Sequence, residues 1–261
     1  MSVFVSTHPS LDIKSNPFIY YKIEKCASSF LLAICKTLAL ADNIHDSNIG
    51  GYGIYEDSSR IFYEKQFHNG QSQLSTTDSL HYYYSEIFLE NAFQFTFVRN
   101  PLDRFVSAWV HGSLSPHLGK FYNDKLVTFN KKMNKDEIIV TFRKFVDSFF
   151  EENCGLQGSP HFGQYEGCLP KNIDNLDFVG KLETFNDDLK YVINSIWDDK
   201  ETSSKLIENL LLDADKEKKA NNPHNTKHLR RGITLDEFFD DDSEERLREH
   251  YKKDLETFGY D

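Results

Sequence analysis

Phe93-Gln94-Phe95-Thr96-Phe97-Val98-Arg99-Asn100-Pro101-Leu102-Asp103-Arg104-Phe105-Val106-Ser107-Ala108-Trp109 reads as a strand, a tight turn and a helix. Phe93 to Val98 alternates with period two, which predicts a strand. Asn100 suits a helix cap, and Pro101 suits the first helical position, where no N–H is needed. A helix from Pro101 to about His111 follows. Arg99 leaves the C-terminal end of the strand, where ligands sit in open α/β sheets. Ser107 lies about two turns into the helix. An arginine fork and a hydroxyl at that spacing could hold one phosphate from two sides. Asp103 and Arg104 read as caps or braces of the first turn. The plainer reading pairs Arg99 and Arg104 with acids on the surface.

Upstream the same pattern occurs once more. Phe18-Ile19-Tyr20-Tyr21-Lys22-Ile23 is a compact β-prone run and predicts a buried strand. Glu24 to Ser29 is small and polar, and Phe30 to Leu40 predicts a buried helix. Lys25-Cys26-Ala27-Ser28-Ser29 therefore sits at a helix N-terminus. First-turn N–H groups and the helix dipole bind phosphate or sulfate there. Lys25 adds a point charge, and Ser28 and Ser29 add hydroxyl donors. The segment has no glycine and does not match GxxxxGK[ST], which weakens a kinase or ATPase reading. The plainer reading is an ordinary capped helix after a strand.

Further elements complete an α/β pattern. Residues 1–17 read as an irregular lead-in and 42–59 as a loop. Ile61 to Tyr63 predicts a strand running toward His68, Asn69-Gly70 a turn, and Thr77 or Asp78 the cap of a helix reaching about Glu90. Ile138, Phe142, Phe145, Val146 and Phe149 recur at helical spacing, so 136–150 is an amphipathic helix. Residues 153–175 read as a long loop, Phe178-Val179-Gly180 as a strand, and 184–197 and 201–212 as helices. Residues 213–232 are polar and rich in basic groups. Asp242 with Glu245 reads as a capping box for a last helix carrying Leu247, Tyr251, Leu255 and Phe258 on one stripe. No internal repeat or linker divides the chain, so 1–261 is read as one domain.

The 261 residues carry 30 Lys+Arg against 41 Asp+Glu, a formal charge of −11. That balance argues against a protein held on nucleic acid or anionic membrane by charge alone. A local basic pocket can still oppose it, and Lys216 to Arg231 concentrates such residues. Aromatics at 14% argue against wholesale disorder. No apolar run reaches the roughly 18 residues of a membrane span, and Met1 to Pro17 has no apolar signal core. A soluble, cytoplasmic protein is expected. Cys26, Cys35, Cys154 and Cys168 form no CxxC pair, so no metal site is expected. A Cys154–Cys168 bridge across the loop is the one pairing left open.

Taken together, Lys25 to Phe30 and Val98 to Ser107 resemble the two cofactor elements of sulfotransferases that use 3′-phosphoadenosine 5′-phosphosulfate (PAPS). The resemblance is to the carbohydrate branch with heparan-sulfate 2-O, chondroitin and HNK-1 type enzymes and bacterial relatives. That branch has a 5′-phosphosulfate loop like Lys-Thr-Ala-Ser-Thr-Ser, where this chain has Lys25-Cys26-Ala27-Ser28-Ser29-Phe30. Its 3′-phosphate element reads Val-Arg-Asn/Asp-Pro-x-x-Arg-x-x-Ser, matched by Val98 to Ser107. Phe178 to Glu183, Asn225 to Arg230 and Tyr251 to Tyr260 resemble later family segments in the same order. Glu24 stands where the family often has proline, and Cys26 and Ser29 replace threonines.

The resemblance implies a P-loop-like three-layer α/β sandwich with a central, mainly parallel sheet flanked by helices. It implies sulfuryl transfer from PAPS, leaving PAP, to a hydroxyl or amine of an acceptor such as a glycan. Arg99 and Ser107 would hold the 3′-phosphate, joined by Arg230. Cys26, Ala27, Ser28, Ser29 and Phe30 would cradle the 5′-phosphosulfate, with Lys25 neutralising the leaving oxygen. His68 is the first choice for general base and Glu64 the second; His81 reads as a packing residue. Two other readings compete: a non-catalytic glycan- or nucleotide-binding module on a degenerate sulfotransferase fold, and a P-loop-type kinase.

Overall fold

In the computed structural model the strands of the two strand–turn–helix openings, Phe18–Lys22 and Phe93–Val98, pair side by side in one sheet. The structure describes residues 2–6, 18–28, 30–31, 34–35, 56–57, 60–66, 91–114, 129, 132–151, 154–170, 172–196, 204, 230 and 232–260. The chain forms two compact units, each built from two segments. One comprises Met1–Val98 and Glu166–Lys216, the other Arg99–Tyr165 and Glu217–Asp261.

The first unit holds the sheet. Its strands are β1 (Ser2–Ser6), β2 (Phe18–Lys22), β3 (Glu56–Asp57), β4 (Arg60–Gln66), β5 (Phe93–Val98) and β6 (Phe178–Lys181), in the order β3-β4-β1-β2-β5-β6. β5 lies parallel to both β2 and β6. β1 runs antiparallel to β2 and β4, and β3 antiparallel to β4. The fold is thus α/β, with a three-strand parallel core flanked by helices and an antiparallel extension at one edge. All five residues of β2 are buried, as expected of an interior strand covered on both faces.

Side-chain alternation sorts the parallel strands into two faces. Phe18 and Tyr20 of β2 and Phe95 and Phe97 of β5 pack with Leu31, Ile34 and Cys35 and with Leu189, Val192, Ile193 and Ile196. The latter four line the buried side of the Phe185–Ile196 helix. Tyr20 stacks on Phe95 at 5.2 Å between centroids, and Phe97 meets Phe185 at 5.4 Å. Gly180 pairs with Phe97 across the sheet, and a Cβ there would lie 2.6 Å from the Phe97 ring. Glycine is what admits the ring. On the other face Thr96 Oγ1 donates to the Tyr21 carbonyl at 2.8 Å, and the Tyr21 hydroxyl donates to Gln94 Oε1 at 2.8 Å.

The second unit is helical, with helices at Pro101–Leu114, Lys135–Phe149, Leu235–Phe238, Asp241–His250 and Lys252–Phe258. Asn100 caps the first as its sequence implied: Oδ1 accepts the Leu102 amide at 2.9 Å and the Asp103 amide at 3.3 Å. Phe105 sits at the centre of an aromatic cluster, 5.5 Å from Phe145, 5.0 Å from Phe149 and 5.3 Å from Phe162. Phe142, Phe238, Leu247 and Tyr251 complete this core.

Several expectations are corrected. Residues 1–17 include β1, which forms by pairing on both sides; Val3-Phe4-Val5 alone is too short an apolar signal. β3 falls inside the expected 42–59 loop. The late capping box is Asp240 with Ser243, not Asp242 with Glu245. Asp240 Oδ1 accepts the Ser243 amide at 3.0 Å, and Ser243 Oγ accepts the Asp240 amide at 3.0 Å. The single last helix is two, divided at Tyr251. The 153–175 loop contains short 3-10 turns at Tyr165–Cys168 and Ile173–Asn175. Cys154 and Cys168 are buried and form no disulfide, so the open pairing is not made. The expected turn at Asn69-Gly70, the helix to about Glu90 and the 201–212 helix lie outside the described residues, apart from helical Ser204.

Candidate functional site

The first candidate lies where β2 gives way to a helix, with helical backbone at Ser28, Phe30, Leu31, Ile34 and Cys35. Lys25 has φ 68° and Ala27 φ 54°, both left-handed. Among the described residues they are the two non-glycine positions with positive φ. Each costs about 1–2 kcal/mol for an L-residue. Left-handed residues beside a helix start turn successive amides toward one side, the form of an anion-binding nest. The Leu31 amide donates to the Ala27 carbonyl at 2.9 Å, which makes Ala27 the N-cap. Alanine brings no side-chain acceptor to the first turn, so a ligand oxygen can take that place.

Glu24, the acid beside the lysine, has both oxygens engaged locally. Oε1 lies 3.0 Å from the Lys22 ammonium, and Oε2 accepts the Ser28 hydroxyl at 3.1 Å. Lys22 and Ser28 are both buried. Cys26 is fully buried, so its thiol faces protein. Lys25 and Ala27 are partly exposed, as is Phe30, whose ring meets Phe185 at 5.8 Å. Ser29 lies outside the described residues.

The second candidate is in the helical unit, and it joins residues far apart in sequence. Asp103 Oδ2 accepts from Arg99 Nε at 2.5 Å and pairs with Arg99 Nη2. Asp103 Oδ1 lies 2.6 Å from Arg230 Nη1, and Arg230 Nη2 donates to the Asp103 carbonyl at 3.2 Å. Arg99 is 6% exposed and Arg230 7%. Burial would raise the Asp103 carboxyl, but the guanidiniums of Arg99 and Arg230 outweigh it and hold it below the usual range. Burial moves Arg230 the other way, with Arg99 reinforcing and Asp103 opposing. Two buried guanidiniums thus share one carboxylate. Among the described residues, Arg230 Nε is buried with no hydrogen-bond acceptor. The trio presents two buried guanidiniums and, at Arg230 Nε, a donor that an anion would satisfy.

Asp103 therefore does more than brace its helix: it gathers Arg99 and Arg230. The i,i+4 spacing from Arg99 was readable, but the partner 127 positions away was not. Ser107 is buried one turn beyond Asp103 on the same helix. Tyr165 was also missed. Its hydroxyl donates to the Arg99 carbonyl at 2.5 Å and accepts the Arg99 amide at 3.3 Å, fixing the backbone at that position. Arg104 is fully buried and donates to the carbonyls of Gly163 at 2.7 Å and Pro160 at 2.8 Å. Its guanidinium lies 4.8 Å from the Tyr165 ring centroid.

Of the expected bases, Glu64 falls in β4, where it pairs with Phe4 of β1. His68, His81 and the basic stretch from Lys216 to Arg231, except Arg230, lie outside the described residues. Among the described residues no helix is long and apolar enough to cross a membrane, and no group of His, Cys, Asp or Glu is placed to hold a metal ion.

A family model described as "Sulfotransferase family" matches residues 11–261. Searches of curated proteins and of solved structures returned no match.

Proposed function

The chain belongs to the sulfotransferase family, and from that premise we propose that it transfers a sulfuryl group from PAPS to a hydroxyl or amine of a carbohydrate acceptor. The Arg99–Asp103–Arg230 trio carries this reading. Its two buried guanidiniums and the Arg230 Nε–H fit a terminal phosphate, and the match running through both units supports reading 1–261 as one sulfotransferase domain. Nothing in the comparisons favours the kinase or the non-catalytic module.

When bound, PAPS supplies an activated sulfuryl group and leaves as PAP. Arg99, Ser107 and Arg230 would hold the 3′-phosphate. The backbone of residues 26–30, with the hydroxyl of Ser29, would hold the phosphosulfate end through first-turn amides and the helix dipole, while the Ser28 hydroxyl stays donated to Glu24. Lys25 would balance charge on the departing oxygen. His68, or Glu64 in its place, would take the proton from the acceptor.

The test is PAP binding by calorimetry and thermal shift. PAP should stabilise the protein at millimolar concentration. Arg99→Ala should weaken binding by about 2–4 kcal/mol, roughly 30- to 1,000-fold. No thermal shift with PAP would reject the donor assignment.

A further inference from the structure

The turn between β2 and its helix takes a left-handed conformation at Lys25 and at Ala27 without a glycine. Something must hold it there. Lys22 ends β2 and Ser28 begins the helix, so they stand on either side of the two left-handed residues. Glu24 joins them, one oxygen 3.0 Å from the Lys22 ammonium and the other accepting the Ser28 hydroxyl at 3.1 Å. Lys22 and Ser28 are 7% and 5% exposed, so both anchors are fixed by burial. The Cys26 amide adds a 3.4 Å bond to the Ile23 carbonyl, a long contact that holds the turn weakly by itself.

We propose that Glu24 is a positioning residue for anion recognition: by tying Lys22 to Ser28 it keeps Lys25 and Ala27 left-handed and the first-turn amides preformed for a phosphosulfate. The inference rests on the PAPS reading above. It gives Glu24 a role through backbone shape rather than through contact with the ligand, since both its oxygens already have protein partners.

Rescue by glycine separates this role from a general loss of stability. Glycine takes positive φ without the Cβ penalty, so Ala27→Gly removes part of the need for a tether. Calorimetry with PAP is run on the wild-type chain, Glu24→Ala, Ala27→Gly and the double variant. Glu24→Ala should weaken PAP at least 10-fold, and the double variant should bind PAP at least 5-fold more tightly than Glu24→Ala, a larger factor than any by which Ala27→Gly tightens the wild-type chain. In turnover, Glu24→Ala should raise KM for PAPS and leave kcat within 2-fold. Should Glu24→Ala fail to fold, Glu24→Gln, which keeps the volume, is measured with and without Ala27→Gly and should show the same recovery. Affinity within 3-fold of wild type overturns the inference, and so does a loss that Ala27→Gly does not recover. A wild-type chain that binds no PAP rejects the PAPS reading itself, and the inference with it.

Discussion

Replacing Asp103 with asparagine keeps the shape of the side chain and removes the one negative charge between Arg99 and Arg230. The two guanidiniums are 6% and 7% exposed, and the Asp103 side chain is 21% exposed. Removing one partner of a fully buried ion pair costs about 3–5 kcal/mol, because the survivors keep their desolvation penalty. Partial exposure of Asp103 lowers this to about 2–4 kcal/mol, equivalent to a Tm drop of roughly 4–16 °C for a chain of this size. Urea unfolding at pH 7 without nucleotide measures the difference. If the two units unfold separately, the loss belongs to the transition of Arg99–Tyr165 and Glu217–Asp261. The pH dependence has a definite sign. Asp103 is more acidic folded than unfolded, so its contribution is present in full above the unfolded value near 4 and is lost as pH falls through the lower folded value. The gap between wild type and Asp103→Asn should be flat from pH 7 to about 5 and should close below about 4. A difference under about 0.5 kcal/mol at pH 7, or a gap unchanged at pH 3, would refute the view that Asp103 neutralises the pair.

Two further substitutions probe the scaffold. Gly180→Ala drives a methyl to 2.6 Å from the Phe97 ring and should cost about 1–3 kcal/mol in thermal unfolding; wild-type stability would show that the ring moves freely. Arg104→Met keeps the apolar stem but leaves the Gly163 and Pro160 carbonyls without their donor. It should cost about 1–3 kcal/mol and speed proteolysis within residues 157–163, whereas an unchanged cleavage rate would mean that Arg104 does not hold that loop.

The parts of the fold legible in sequence are those whose signals are local. Phe93 to Pro101 carries its own alternation, cap and helix start, and Val98 and Pro101 fall at the expected boundaries. Phe18 to Lys22 is similarly self-sufficient. β1 was not legible because its strand form depends on partners in β2 and β4. The acidic run Asp240-Asp241-Asp242-Ser243-Glu244-Glu245 offers several capping registers. The structure uses the one that buries Ser243 and seats Leu247 in the core. In the candidate site, Arg99 and Lys25 stand out by motif. Asp103 and Tyr165 do not, because their roles are set by contacts spanning 127 and 66 positions.

The interleaving of the two units bears on how the chain is made. Synthesis leaves the first unit incomplete at Val98, starts the second, returns to the first at Glu166, and completes the second only after Glu217. Neither unit corresponds to a contiguous fragment, so neither can be excised by a single cut or matured on the ribosome before the other has begun. Two of the three switch points carry Arg99 and Tyr165, whose backbone and hydroxyl are bonded to each other. The nascent chain thus ties its outgoing and returning passages together at the residue proposed to hold phosphate. Phe105 meanwhile waits for Leu247 and Tyr251 to emerge before its core can close. Folding of the helical half is in this sense a late event of translation, and a premature stop before the final helices leaves that aromatic core without its last wall.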